Sequence, residues 1–78
     1  MKDILLYLLA HLVDHPEDVV VDEATEEGKT TLTAHIHPED MGKVIGKSGR
    51  IIRAIRDLVK LVAAKNNAYV DVILAEQQ

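Results

Sequence analysis

Seventy-eight residues, 47% of them apolar and 28% charged, suit one small folded domain, near the lower size at which a single core holds without staples. The absence of cysteine excludes disulfides and thiolate metal ligands and leaves the redox compartment open, a reducing cytoplasm being compatible. A net charge of −4 would disfavour a phosphate-rich partner if it were evenly spread, but residues 1–37 carry two Lys against eight Asp/Glu, whereas residues 38–65 carry seven Lys/Arg against three Asp/Glu.

In chain order, Asp3 is placed to cap a helix with an apolar stripe of Ile4, Leu5, Leu8, Leu9 and Leu12, ended by Asp14 to Pro16. The apolar run Ile4 to Ala10 is broken by His11 and is well short of the ~18 residues of a membrane span. No small-residue cleavage site follows it, so it does not read as a signal peptide. Leu6 and Val13 lie off the stripe and suit either a broad core or an interface.

Val19-Val20-Val21 opens a strand, Glu26-Glu27-Gly28-Lys29 has turn chemistry, and Thr30 to His37 alternates Leu32, Ala34 and Ile36 with Thr31, Thr33 and His35. This predicts a hairpin with one wet face. Pro38 fits the first position of a short helix that carries Glu39 and Asp40 at its positive end and stops at Gly46. A long helix then runs from after Gly49, with Ser48 as its N-cap, to about Asn66. Its core spacing is Ile51, Ile52, Ile55, Leu58, Val59 and Val62, and Arg53, Arg56 and Lys60 share one side. Asn66-Asn67 stops it before a β-branched strand, Ala68 to Leu74. The order is α-β-β-α-α-β. The two-helix crossover makes strands 30–37 and 68–74 parallel neighbours, predicting an α+β fold in which a three-stranded mixed sheet is covered on one face by three helices.

Gly46-Lys47-Ser48 has the ending of a nucleotide-binding phosphate loop, which would require glycine at position 41. That residue is Met41, Gly42 is one position late, and a helix precedes the motif where a strand is needed. The spacing and context argue against a nucleotide. Taken instead as Gly46-Lys47-Ser48-Gly49, the stretch is a tight turn between helices. Its glycines admit close approach, the amides at the next helix start favour an anion, and Lys47 supplies charge at the tip, flanked by Lys43, Arg50 and Arg53. Such a turn suits a sugar-phosphate backbone better than a terminal triphosphate.

Val44-Ile45-Gly46-Lys47-Ser48-Gly49-Arg50-Ile51-Ile52 resembles the signature of KH domains, whose Gly-X-X-Gly loop joins two helices and clamps about four nucleotides of single-stranded nucleic acid. The element order is similar to the type II, prokaryotic variant, and essentially the whole chain is covered by one such domain. A KH domain this short, opening on an apolar helix, resembles the small bacterial KhpA family of RNA-binding proteins. That resemblance implies a cytoplasmic RNA chaperone or post-transcriptional regulator that binds single-stranded RNA. It also implies pairing as a homodimer or with a larger KH-containing partner of the KhpB (Jag) type, and links to cell elongation and wall homeostasis. On this chain it puts the clamp at Gly46, Lys47, Ser48 and Gly49 and the phosphate-neutralising charges at Arg50, Arg53 and Lys43. Val44, Ile45 and Ile52 become an apolar wall for bases, opposite the strand from Ala68 to Leu74.

Plainer readings stand beside these. Two glycines can serve a helix-helix turn that holds no ligand, although such turns rarely need both around a basic tip. Arg56 and Lys60 also suit a solvated helix face. His11 and His15 are four apart and His35 and His37 share a strand face, but no Cys or carboxylate set converges on either pair in sequence, so surface or capping roles are expected and no metal or cofactor. With only Tyr7 and Tyr69, an aromatic stacking platform is not expected. No catalytic constellation stands out, so the chain reads as a non-enzymatic RNA-binding domain. The alternative is a protein-pairing adaptor, which the surplus apolar residues Leu6, Val13 and Leu61 would serve.

Overall fold

The computed structural model describes residues 1–75. The helices are α1 (Lys2–Leu12), α2 (Met41–Ile45) and α3 (Arg50–Lys65), and the strands are β1 (Val20–Glu26), β2 (Lys29–His35) and β3 (Tyr69–Leu74). Short 3-10 turns occupy Pro16–Asp18, Pro38–Asp40 and Lys47–Gly49. The α-β-β-α-α-β order holds, with β2 central, antiparallel to β1 and parallel to β3. This is a type II KH fold. No helix among the described residues is long and apolar enough to cross a membrane.

The register follows from the period-2 pattern. Val21 pairs with Ala34 and Leu32 with Val72, so their side chains share the buried face, while Asp22, Thr33 and Ile73 lie on the other. Glu27 and Gly28, both at positive φ, form the two-residue turn between β1 and β2. β1, the antiparallel edge, exposes Asp22, Glu23 and Glu26, a charge row that discourages further strand pairing.

α1 begins two residues earlier than its sequence signals suggest, with Met1 at the N-cap position. Asp3 lies inside the first turn and makes no cap, though its charge still favours the positive helix end. Leu5 and Leu9 are wholly buried, and Ile4, Leu8 and Leu12 are half-buried beside them. Leu6 and Val13, off the stripe, also pack against the core.

α3 buries Ile52, Ile55, Val59 and Ala63, a spacing that keeps one narrow arc on the sheet. Ile51 and Leu58, which the periodicity also assigned to the core, are 36% and 43% exposed. Each is one residue from a buried position, about 100° round the helix, and so sits on the flank beside α1 and not beneath it. The helix ends in two reversing bonds, Asn67 N–H to Ala64 O (3.1 Å) and Ala68 N–H to Ala63 O (2.8 Å), with Asn67 at φ 56°. That is the physical content of the Asn66-Asn67 stop.

Asp40 is the one buried charged residue among the described positions, 1% exposed at the entry to α2. Its carboxylate accepts the backbone N–H groups of Asp14 (3.1 Å) and His15 (3.0 Å), tying the α1–β1 connection to the β2–α2 connection. Burial pulls its pKa upward, but those two amides, with the charges of His15 and Lys43, outweigh burial and hold it below the usual carboxylate range. A carboxyl depressed in the folded state stabilises the fold above its unfolded pKa of about 4, and the contribution fades as pH falls through the folded value. Thermal midpoints measured from neutral to acid pH are therefore expected to place Asp40→Asn several degrees below the parent at neutrality, with the gap closing below about pH 4.

Candidate nucleic-acid interface

The chain reverses between α2 and α3 through Gly46 to Gly49. Gly46 sits at φ 74°, ψ 174°, and a Cβ built there would lie 2.5 Å from Cγ1 of Ile51. Both the backbone region and the contact exclude a side chain. Its N–H donates to Gly42 O (2.9 Å), its carbonyl accepts from Gly49 N–H (3.1 Å), and Arg50 N–H closes on Lys47 O. Ser48 and Gly49 follow at φ 56° and 73°, two successive left-handed residues.

This geometry corrects the cap. Gly49, not Ser48, holds the N-cap position of α3, and no side chain caps it. Ser48 lies one residue too early and in the wrong backbone region to reach the first-turn amides, so its hydroxyl stays exposed at the tip beside Lys47. The first-turn amides of α3 have no acceptor within the helix, which leaves the tip electropositive.

The flanking residues divide by what they touch. Lys47 and Arg50 are exposed, and neither is ion-paired with any described residue. Arg53 reaches back a turn, Nη2 donating to Ser48 O at 3.3 Å, and so braces the loop with part of its guanidinium. Lys43 is engaged by the Asp14 carboxylate, whose hydrogen bond raises its pKa. Val44 is fully buried and Ile52 only 9% exposed, so these two support the loop from within the core and present almost no wall to a ligand. Ile45 is 36% exposed, matched by Ile51, which the sequence placed in the core. Its position against Gly46 is the role that periodicity alone could not reveal.

On the opposite side of α3 from Ile51 and Leu58, the basic flank meets β3. Arg56 Nε donates to Val72 O (3.1 Å), and Lys60 lies 3.5 Å from Asp71. The stronger partner of Asp71 is Lys29 at 2.7 Å, whose hydrogen bond lowers the Asp71 pKa and raises its own. Arg56 and Lys60 thus fasten β3 to α3, leaving Lys47 and Arg50 beside the loop without an ion-pair partner among the described residues. The histidines pair differently from their spacing: His15 meets His37 and Glu39, the one grouping of three metal-ligating side chains among the described residues.

Alanine at the two glycines separates the two constraints. Gly49→Ala meets only open space (Arg53 Nη2 at 3.9 Å) and is expected to cost about 1 kcal/mol for its positive φ. Gly46→Ala adds the clash with Ile51 and is expected to cost about 2–4 kcal/mol, as read by urea unfolding. Equal costs would contradict the close Gly46–Ile51 approach.

The family model for the KH domain of KhpA and KhpB matches residues 2–74. The chain is 51% identical over 67 residues to the RNA-binding protein KhpA of Clostridium perfringens, covering 86% of this chain and 89% of that one. It is 41% identical over 75 residues to the KhpA of Oceanobacillus iheyensis (94% and 100% covered) and 40% identical over 78 residues to that of Chlamydia caviae (both chains covered in full). With the order of elements, the loop and these likenesses in agreement, the chain belongs to the KhpA/KhpB KH-domain family.

Proposed function

We propose that this domain binds single-stranded RNA without catalysis, the Gly46–Gly49 loop holding backbone phosphates while bases lie along the groove between α3 and β3. The observation that carries this reading is the loop itself: two glycines at positive φ bracket an exposed Lys47-Ser48 tip, with Arg50 free beside it. Ile45 supplies apolar surface at that end, and Arg53 adds charge while bracing the turn. The relatives carrying the name RNA-binding protein support the same ligand. A backbone grip with aliphatic contacts has little means of reading base edges, so selectivity is low, in keeping with a cytoplasmic chaperone or post-transcriptional role.

Fluorescence anisotropy with a short single-stranded RNA tests the clamp. Lys47→Asp/Ser48→Asp is expected to weaken binding at least tenfold while leaving the thermal midpoint unchanged, because both side chains are exposed. Parent affinity should fall with salt at a slope of about −2, the value for roughly three phosphate contacts on a single strand. Undiminished binding by the double variant would sink the proposal.

A second reading, pairing with another copy or with a larger KH-containing protein of the KhpB type, is favoured by the apolar flank of α3. Ile51, Ala54 and Leu58 line a shallow depression with Leu8 and Leu12 of α1, and Leu61 extends it at 62% exposure. Contiguous apolar surface of this kind suits association. Light scattering after size exclusion is expected to find a dimer that Leu58→Asp converts to a monomer. A monomeric parent at high concentration would rule out self-pairing through this flank.

A further inference from the structure

We infer that His15, His37 and Glu39 form a binding site for a divalent transition-metal ion of the zinc class. These residues come from two connections far apart in sequence. His15 ends the segment after α1, and His37 and Glu39 flank Pro38 in the turn that enters α2. The two imidazole rings stack with centroids 4.2 Å apart and planes 23° from parallel. Nε2 of His15 is 3.9 Å from the Glu39 carboxylate and Nε2 of His37 is 3.7 Å from it, and the three donor atoms all lie within 4.8 Å of one another.

A tetrahedral ion with bonds of about 2.0–2.1 Å needs donors roughly 3.3 Å apart. Closing the difference requires the side chains to rotate and the two rings to unstack, and each of the three has a solvent-facing side on which to do so. The backbone beneath is already set. The Asp40 carboxylate holds the His15 amide at 3.0 Å, which fixes His15 against the residue next to Glu39. Two imidazoles and one carboxylate, with an open position for water, are a donor set for zinc and its neighbours, whereas magnesium and calcium require oxygen ligands. Glu17, 3.7 Å from His15 Nδ1, and the Asp40 carboxylate add negative charge around the site. Lys43, the nearby cation, is taken up by Asp14.

Ligation exacts one identifiable change. His37 Nδ1 accepts the Glu39 N–H (3.0 Å), so in the neutral ring the proton resides on Nε2. A metal at Nε2 takes that position, the ring proton moves to Nδ1, and the Glu39 amide is released to water. The bond lost is an exposed one. The remaining histidines lack a third donor: His11 Nδ1 bonds Tyr7 O (2.7 Å) and His35 Nε2 bonds Asp22 (2.9 Å). An ion here would join the α1–β1 and β2–α2 connections at the base of α2, the helix that ends at Gly46.

The test uses the tag-free full chain, titrated calorimetrically with zinc chloride and, separately, nickel and magnesium chlorides near neutral pH. One zinc or nickel ion per chain is expected, with no response to magnesium and a thermal midpoint raised on the order of 10 °C at a hundredfold excess over Kd. His15→Ala, His37→Asn and Glu39→Gln should each weaken binding at least tenfold, and His11→Ala and His35→Ala should not. Asparagine at 37 keeps an acceptor for the Glu39 amide, so a loss there is not a loss of the turn. Nitrogen-15 spectra of the imidazoles should show the His37 proton moving from Nε2 to Nδ1 on zinc addition. The absence of one-to-one binding up to about 1 mM, or binding undiminished in the His15→Ala/His37→Asn double variant, would overturn the site.

Discussion

The approach of Gly46 to Ile51 governs how the second half of this domain is put together. With no Cβ in the way, the end of α2 presses directly on the first turn of α3, and the two helices meet through a loop of two residues between glycines. The tightness of that contact lifts Lys47 and Ser48 clear of the core and puts three positive-φ residues into four positions, Gly46, Ser48 and Gly49. A looser turn would let the tip fold back and satisfy its own amides. The same contact leaves Ile51 at the surface beside the loop, so the steric requirement and the start of the apolar flank of α3 have one origin.

From that first turn, α3 divides its circumference into three. One arc, Ile52 to Ala63, is sealed against the sheet. A second carries Arg53, Arg56 and Lys60 toward the loop and β3, where all three meet protein acceptors, Arg53 with only part of its guanidinium. A third carries Ile51, Ala54, Leu58 and Leu61 beside α1. The basic and apolar flanks lie on different sides of one rigid helix, more than a third of a turn apart. They approach one another only at the first turn, where Arg50 and Ile51 line the apolar depression and also stand beside the loop.

Periodicity made most of this architecture legible. The element order, the parallel β2–β3 pairing and the reversal at Asn66-Asn67 follow from local signals that agree with one another. Positions decided by tertiary contact were not legible. An apolar residue at helical spacing looks the same whether the arc it occupies is covered or not, which is why Ile51 and Leu58 read as core and Val44 and Ile52 as wall. Ser48 carries the chemistry of a cap, but the left-handed backbone imposed by the glycines moved the cap to Gly49. Asp40 looked like an ordinary first-turn acid because its partners, the amides of Asp14 and His15, are some 25 residues away in sequence. The His15–His37 stack was hidden for the same reason: no local spacing reports a meeting of two connections.

The small size of the domain links these flanks energetically. One loop with Lys47, Arg50 and part of Arg53 offers few phosphate contacts, and each is screened by salt, so a single copy has little affinity to spend on RNA. The neighbouring cations add little to that set, because Arg56, Lys60 and Lys29 hold β3 in place and Lys43 is bound to Asp14. Under the proposed loop contact, pairing is the route by which affinity would rise. Two copies joined through the apolar flank would convert the second contact on one strand into an intramolecular event, raising avidity without any new contact. On this reading the exposed Leu58 and Leu61 are the complement of the sparse charge around Gly46.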